Sequence, residues 1–300
     1  MKMSLPIDCV LDAKAQIGEG AIWCSQQQVL YWVDISAGVL HCFDPANNTN
    51  KSWDMGEALG CFALTGRASL VLALTSGFYE FFPDTEHKLL LSGPNVSSIN
   101  QRFNDGSVDL KGRFYAGTMR TNGDHVNDPS GTMYSLSSEL EVNAVMSGFH
   151  IINGMAFSPN GDTAYVSDSF AAVQTIWAYD YDLDDGVWSN KRVFLDTKEL
   201  DGRPDGAAID ADGCYWMAGI SGWELVRITP EGKVDMKIEF PVEKPTRIAF
   251  GGSDMDILYV TSLGEDITEG THQPNAGGLF ALKVPGVTGI ELPRMNFSAS

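Results

Sequence analysis

Basic residues are scarce in this sequence: 20 Lys and Arg stand against 39 Asp and Glu, for a formal net charge of −19. Nucleic acid backbones and anionic lipid surfaces repel such a chain, so neither is expected as a partner. The five cysteines, Cys9, Cys24, Cys42, Cys61 and Cys214, are odd in number and include no CxxC pair. They read as free thiols in a reducing compartment, not as a disulfide framework. The opening residues, MKMSLPIDCVLDAKAQ, hold no apolar core of the secretory kind, and no apolar run approaches the length of a membrane span. A cytoplasmic location is the expectation. The five histidines never take HExxH spacing, and GxSxG, P-loop and GxGxxG motifs are absent. The commonest helix-borne zinc, serine-hydrolase and nucleotide-binding signatures are thereby removed. Sustained 3.6-residue periodicity is missing too, which excludes long helices.

What the chain does have is glycine (31 residues), 10% aromatics and a repeat. Short strand-like runs recur: LYWVD (30–34), LVLAL (70–74), RFYAG (113–117), AYVSD (164–168), CYWMA (214–218) and LYVTS (258–262). Their marker positions, Tyr31, Leu72, Tyr115, Tyr165, Tyr215 and Tyr259, are spaced 41 to 50 residues apart. That is the period of a four-stranded propeller blade. Further strand-like runs follow each marker, and turns such as SPNGDT, DADGC and DLKGR carry a glycine suited to positive φ. The pattern predicts an all-β, six-bladed β-propeller occupying residues 1–300 as one domain; a two-sheet sandwich is the alternative on strand number alone.

Ten to thirteen residues before these markers stand Glu19, Cys61, Asn104, Asn153, Asp205 and Thr246. In a propeller the first strand of each blade lines the central channel, so these residues converge on the axis from separate blades. Glu19, Asn153 and Asp205 supply two carboxylates and an amide oxygen, hard ligands suited to Ca²⁺, Mg²⁺ or Mn²⁺ and acceptable to Zn²⁺. Crowded carboxylates in a channel repel each other unless a cation joins them. The plainer reading is that each residue only caps a strand end.

The stretches IGEGAIWCSQQQVLYWVDI, NQRFNDGSVDLKGRFYAGTM, INGMAFSPNGDTAYVSDS, GRPDGAAIDADGCYWMA and PNAGGLFAL resemble, in that order, the SMP-30/gluconolactonase/regucalcin-like family. The likeness runs from about residue 8 to residue 290. It implies a six-bladed propeller that holds one divalent cation and hydrolyses sugar lactones, with metal ligands Glu19, Asn153 and Asp205 and substrate contacts Arg102 and Asn104. Asp205 is the candidate base for the attacking water, although a purely ligating role is also open. The chain departs from the family beyond GTM, where some members carry an acidic substrate contact and this sequence has Asn122. With Arg120 and His125 nearby, that part of the mouth is less negative, which suggests pentonolactones or lactones bearing an anionic group; Arg120 facing solvent is the plainer alternative.

Other signals are set aside. DYDLDDG (180–186) places aspartates like a calcium loop, but its glycine comes one place late and position twelve is Lys191, so a hairpin turn is expected. His150 lies near Asn153 in sequence, with a structural role favoured. Trp23, Tyr31, Trp32, Trp177, Trp216 and Trp223 read as blade packing. Two further functions compete with a metal-dependent lactonase: a broader paraoxonase-like esterase and a non-enzymatic calcium-binding propeller. The expected partner is a small sugar lactone, and the expected state a monomer or small homo-oligomer.

Overall fold

A computed structural model describes residues 2–121 and 128–297. The short β-branched and aromatic runs form strands because they alternate well on a pleated surface and are bounded by turns. Their turns are built by local side chains. Asp109 Oδ1 accepts from the N–H groups of Lys111 and Arg113, both at 2.9 Å, and Asp210 Oδ1 does the same for Asp212 and Cys214. Gly213 turns the second of these loops at φ +81°, a conformation that side-chain-bearing residues avoid.

The strands make six four-stranded antiparallel sheets among the described residues. Five sheets run consecutively in sequence. The sixth is completed by the N-terminal strand Ile7–Leu11, which pairs with Leu279–Lys283. The inner strands, blades one to six, are Gly18–Cys24, Leu59–Leu64, Gln101–Val108, Ile152–Phe157, Arg203–Ile209 and Pro245–Gly251. Each lies against the inner strands of two neighbouring blades, and the sixth returns to the first. The fold is the expected six-bladed propeller. The sandwich alternative fails because the inner strands close a ring.

Burial follows that ring. The inner strands of blades one, two and six are buried at every residue, whereas outer strands such as Thr49–Asp54 are mostly exposed. Every seam between blades carries an aromatic pair: Tyr31–Phe62, Phe78–Phe103, Tyr115–Phe157, Tyr165–Tyr215, Trp216–Phe250 and the stacked Trp23–Tyr259. Such a pair adds about 0.5–1.5 kcal/mol beyond the area it buries. The expected blade-packing role of the aromatics holds at these seams. DYDLDDG is a hairpin turn as expected, with Asp182 Oδ1 accepting from the N–H groups of Asp184 and Asp185. The five cysteines are free thiols. Among the described residues, no helix is long and apolar enough to cross a membrane.

Candidate active site at the propeller axis

Each inner strand bulges near its head. Cross-strand pairing slips between Glu19 and Ile22, Phe103 and Gly106, Asn153 and Ala156, Pro204 and Ala207, and Pro245 and Ile248. A bulge sets two residues opposite one, so consecutive side chains escape strict alternation and both approach the axis. Gly154 shows why this needs glycine. Its φ is +58°, and an added Cβ would lie 2.1 Å from the Tyr215 hydroxyl. That hydroxyl donates to the Gly154 carbonyl at 2.8 Å.

Glu19, Asn104, Asn153 and Asp205 come together as expected, all buried at the strand heads. Arg102 Nη1 donates to Asn104 Oδ1 at 2.6 Å, and Asn104 Nδ2 donates to Asn153 Oδ1 at 3.0 Å and to the Ile152 carbonyl at 2.9 Å. Asn153 Nδ2 donates to Ser169 Oγ at 2.7 Å, which fixes the amide with its oxygen on the Asn104 side. Ser169 Oγ in turn donates to the Pro204 carbonyl, beside Asp205.

Glu19 and Asp205 meet side chain to side chain across the channel. Burial is the main force pushing Glu19 up to about 7, with the negative Asp105 adding to it; the Gly20 N–H, Arg247 and Arg102 pull the other way. Asp205 is held well above the usual carboxylate range by burial, then by Glu19 and Asp105, with Arg203 opposing. Among the described residues, no N–H or hydroxyl donor bonds the Asp205 carboxyl. Loss of water also lowers Arg102, to about 10, against the attraction of Glu19, Asp205 and Glu265.

The donor chemistry fits a hard divalent cation. Two buried carboxyls that resist ionisation side by side, together with a fixed amide oxygen, form an oxygen-only set whose repulsion a cation relieves. No group of three or more His, Cys, Asp or Glu is arranged to hold a metal among the described residues. The axial set reaches three oxygen donors only by including Asn153.

Other expectations fare differently. In blade two the cross-strand register pairs Leu59 with Leu74 and Cys61 with Ala73, so Leu59 heads the strand and Cys61 lies two residues further in. Thr246 Oγ1 donates to the Gly18 carbonyl and bonds Thr261, tying blade six to blade one. Arg120 is ion-paired with Asp128 at 2.9 Å, so its charge is already matched. His150 Nδ1 lies 3.2 Å from Asp168, and its ring stacks on Phe170 with centroids 4.4 Å apart, a structural setting. Asn122 and His125 lie outside the described residues.

Sequence reasoning missed a second axial layer. Asp105 Oδ1 receives Arg247 Nη1 at 2.6 Å and the Gly106 N–H at 2.8 Å, while Oδ2 receives the Met155 N–H at 3.0 Å. Both partners of this ion pair are buried, and the Cys61 thiol is pushed up chiefly by its own burial, then by Asp105, with Arg247 opposing and Glu19 adding a little. A partial signal was present: Asp105 and Arg247 are each the single charged residue of their strand runs, FNDGSV and PTRIAF.

Residues 17–264 match the model of the SMP-30/Gluconolactonase/LRE-like region. The chain belongs to this family. Among SMP-30/gluconolactonase relatives, it is 36% identical to 6-deoxy-6-sulfogluconolactonase of Pseudomonas putida, over 94% of this chain and 96% of that one. It is 32% identical to regucalcin of Xenopus laevis, over 96% and 97%. Its fold is similar to the crystal structure of a calcium-binding protein, regucalcin, from Agrobacterium tumefaciens str. C58. The TM-score there is 0.91 at 24% identity, covering 99% of each chain.

Proposed function

We propose that this SMP-30/gluconolactonase-family chain hydrolyses a sugar lactone to its aldonic acid at the axial site, with one divalent cation held by Glu19, Asn153 and Asp205. The observation that carries this reading is the buried, mutually repelling Glu19–Asp205 pair beside a fixed Asn153 oxygen. Relatives that act on gluconolactone-type substrates support the reaction class. When bound, the cation supplies Lewis-acid polarisation of the lactone carbonyl. Its identity among Ca²⁺, Zn²⁺, Mn²⁺ and Mg²⁺ is a matter for the add-back experiment below.

The chain's own residues do the rest. Arg102 spends one N–H on Asn104 and one contact on the Phe103 carbonyl, leaving guanidinium donors for the lactone oxygens. Asn104, held between Arg102 and Asn153, orders the contact residues before substrate arrives, so little reorganisation is needed at reaction. Asp205 takes a proton from the attacking water as the water oxygen bonds to the carbonyl carbon. The acyl–oxygen bond of the ring then breaks, and Asp205 returns the proton to the departing ring oxygen. An ionised carboxylate that takes up the proton and hands it on is suited to both halves of that transfer. The new carboxylic acid ionises and releases one proton to solvent, which gives the assay its signal.

Asp205→Asn tests the assignment. Activity should fall by about a hundredfold or more while the melting curve stays cooperative. Full activity in that variant would remove Asp205 from the mechanism. Cation binding by a folded protein that hydrolyses no lactone would instead favour a binding protein.

A further inference from the structure

Among the described residues, arginine pairing across this molecule has two exceptions, and both fall at the axial mouth. Seven of the nine arginines in the sequence have a carboxylate oxygen at 2.6–3.5 Å. The other two, Arg102 and Arg203, form no such pair among the described residues. In a chain with 39 acidic side chains, leaving a guanidinium without a carboxylate is the unusual outcome. Both unpaired residues belong to the heads of inner strands, Arg102 in blade three and Arg203 in blade five.

Arg203 is only partly buried, and its few bonds leave it accessible. Nη1 donates to the Ser169 carbonyl at 3.2 Å, and Nη2 reaches Ser221 Oγ at a long 3.5 Å. The first contact fixes the side chain beside Ser169, the residue that also holds Asn153. Its positive charge is felt at Asp205. Neither guanidinium is within ion-pairing distance of Glu19 or Asp205, so they are not spent on neutralising those carboxylates. Once a divalent cation matches the two carboxylates, the mouth retains two guanidinium groups, of which Arg102 still feels Glu265 and Arg203 has no carboxylate bonded to it among the described residues. A neutral sugar ring offers nothing to balance them.

We propose that Arg203 is a specificity-determining residue, and that the lactone suited to this site carries a tetrahedral oxyanion, a sulfonate or phosphate, on its exocyclic carbon. This rests on the lactonase reading above. A guanidinium fork matches two oxygens of such a group, and a charge-assisted pair of that kind discriminates strongly against a hydroxyl in the same place. Arg102 remains with the ring and carbonyl oxygens, so the two cations divide the substrate between its reacting end and its tail.

The test compares the metal-loaded wild type, Arg203→Gln and Arg203→Lys on glucono-1,5-lactone and its 6-sulfonated and 6-phosphorylated analogues. Binding of the corresponding ring-opened acids is measured by calorimetry alongside. The wild type should favour at least one anionic lactone in kcat/KM by about tenfold or more, as expected for one charged hydrogen-bonded contact. Arg203→Gln should reduce that ratio by about tenfold, mostly through KM, and Arg203→Lys should restore part of it. Which analogue leads identifies the oxyanion. Equal losses on neutral and anionic lactones in Arg203→Gln would assign Arg203 to holding Ser169 and overturn the proposal. So would a wild type that prefers the neutral lactone and binds neither anionic acid more tightly. Hydrolysis of none of the three would instead overturn the lactonase reading, and the calorimetry would still decide whether Arg203 recognises the anion.

Discussion

Arg247 and Asp105 stand 2.6 Å apart under the candidate site, both shut away from water. Removing one partner of such a pair strands the other as a buried charge. Arg247→Met should therefore cost about 3–5 kcal/mol in urea unfolding, and pairing it with Asp105→Asn should recover a good part of that. Additive losses would mean the two residues do not interact. Glu19 makes a second residue-scale prediction. Its folded value of about 7 exceeds the ordinary 4.5, so cation-free protein binds this proton more tightly folded than unfolded. Stability from this group is complete below the ordinary value and is lost as pH rises through about 7; Asp205 acts in the same direction. A divalent cation prefers the ionised pair, so the rise in Tm on adding it should be larger near about pH 8 than near about pH 5. A gain independent of pH would contradict the pairing of these carboxyls at the cation site. Glu19, Asn104, Asn153 and Asp205 were legible in the sequence because each begins a glycine-containing bulge at a repeated offset. Asp105 and Arg247 were not. Strict alternation would send them to the face opposite Asn104 and Thr246, and only the bulge returns them to the axis. Arg203 was visible as a charge, but whether a carboxylate lay within reach was a through-space fact.

The bulged inner strand is the element on which the site depends. Gly154→Ala forces a side chain into φ +58° and against the Tyr215 hydroxyl. A loss of about 2 kcal/mol or more is expected in chemical unfolding, with a matching fall in cation affinity because Asn153 is displaced. Adding Tyr215→Phe removes the nearest clashing atom and should return part of the stability; a double variant no better than the single would point to backbone strain alone. Strand positions were legible at this scale from aromatic and β-branched runs between glycine turns. Blade two was the exception. Its marker is Leu72, and the allowed offset of ten to thirteen residues spans more than one residue, so Cys61 was reached where the ladder places Leu59.

The ring itself is closed by the chain's N-terminal strand. Ile7–Leu11 covers the edge of Leu279–Lys283, an edge that would otherwise expose unpaired backbone groups. Deleting residues 2–11 should lower Tm markedly and promote association through the uncovered edge, read by melting and light scattering. A monomer with an unaltered Tm would show that closure contributes little. The number of blades was legible from the 41–50-residue spacing, whereas closure by the first strand was not, since Ile7–Leu11 lies before the first repeat and resembles none of the marker strands. A metal-dependent lactonase is tested most directly by proton release from metal-stripped protein on a panel of aldonolactones, with spontaneous hydrolysis subtracted and each divalent cation added back in turn. Stripped, folded protein should be nearly inactive, and one or more cations should restore hydrolysis by about a hundredfold or more. Hydrolysis by the stripped protein as fast as by the loaded one would contradict metal dependence.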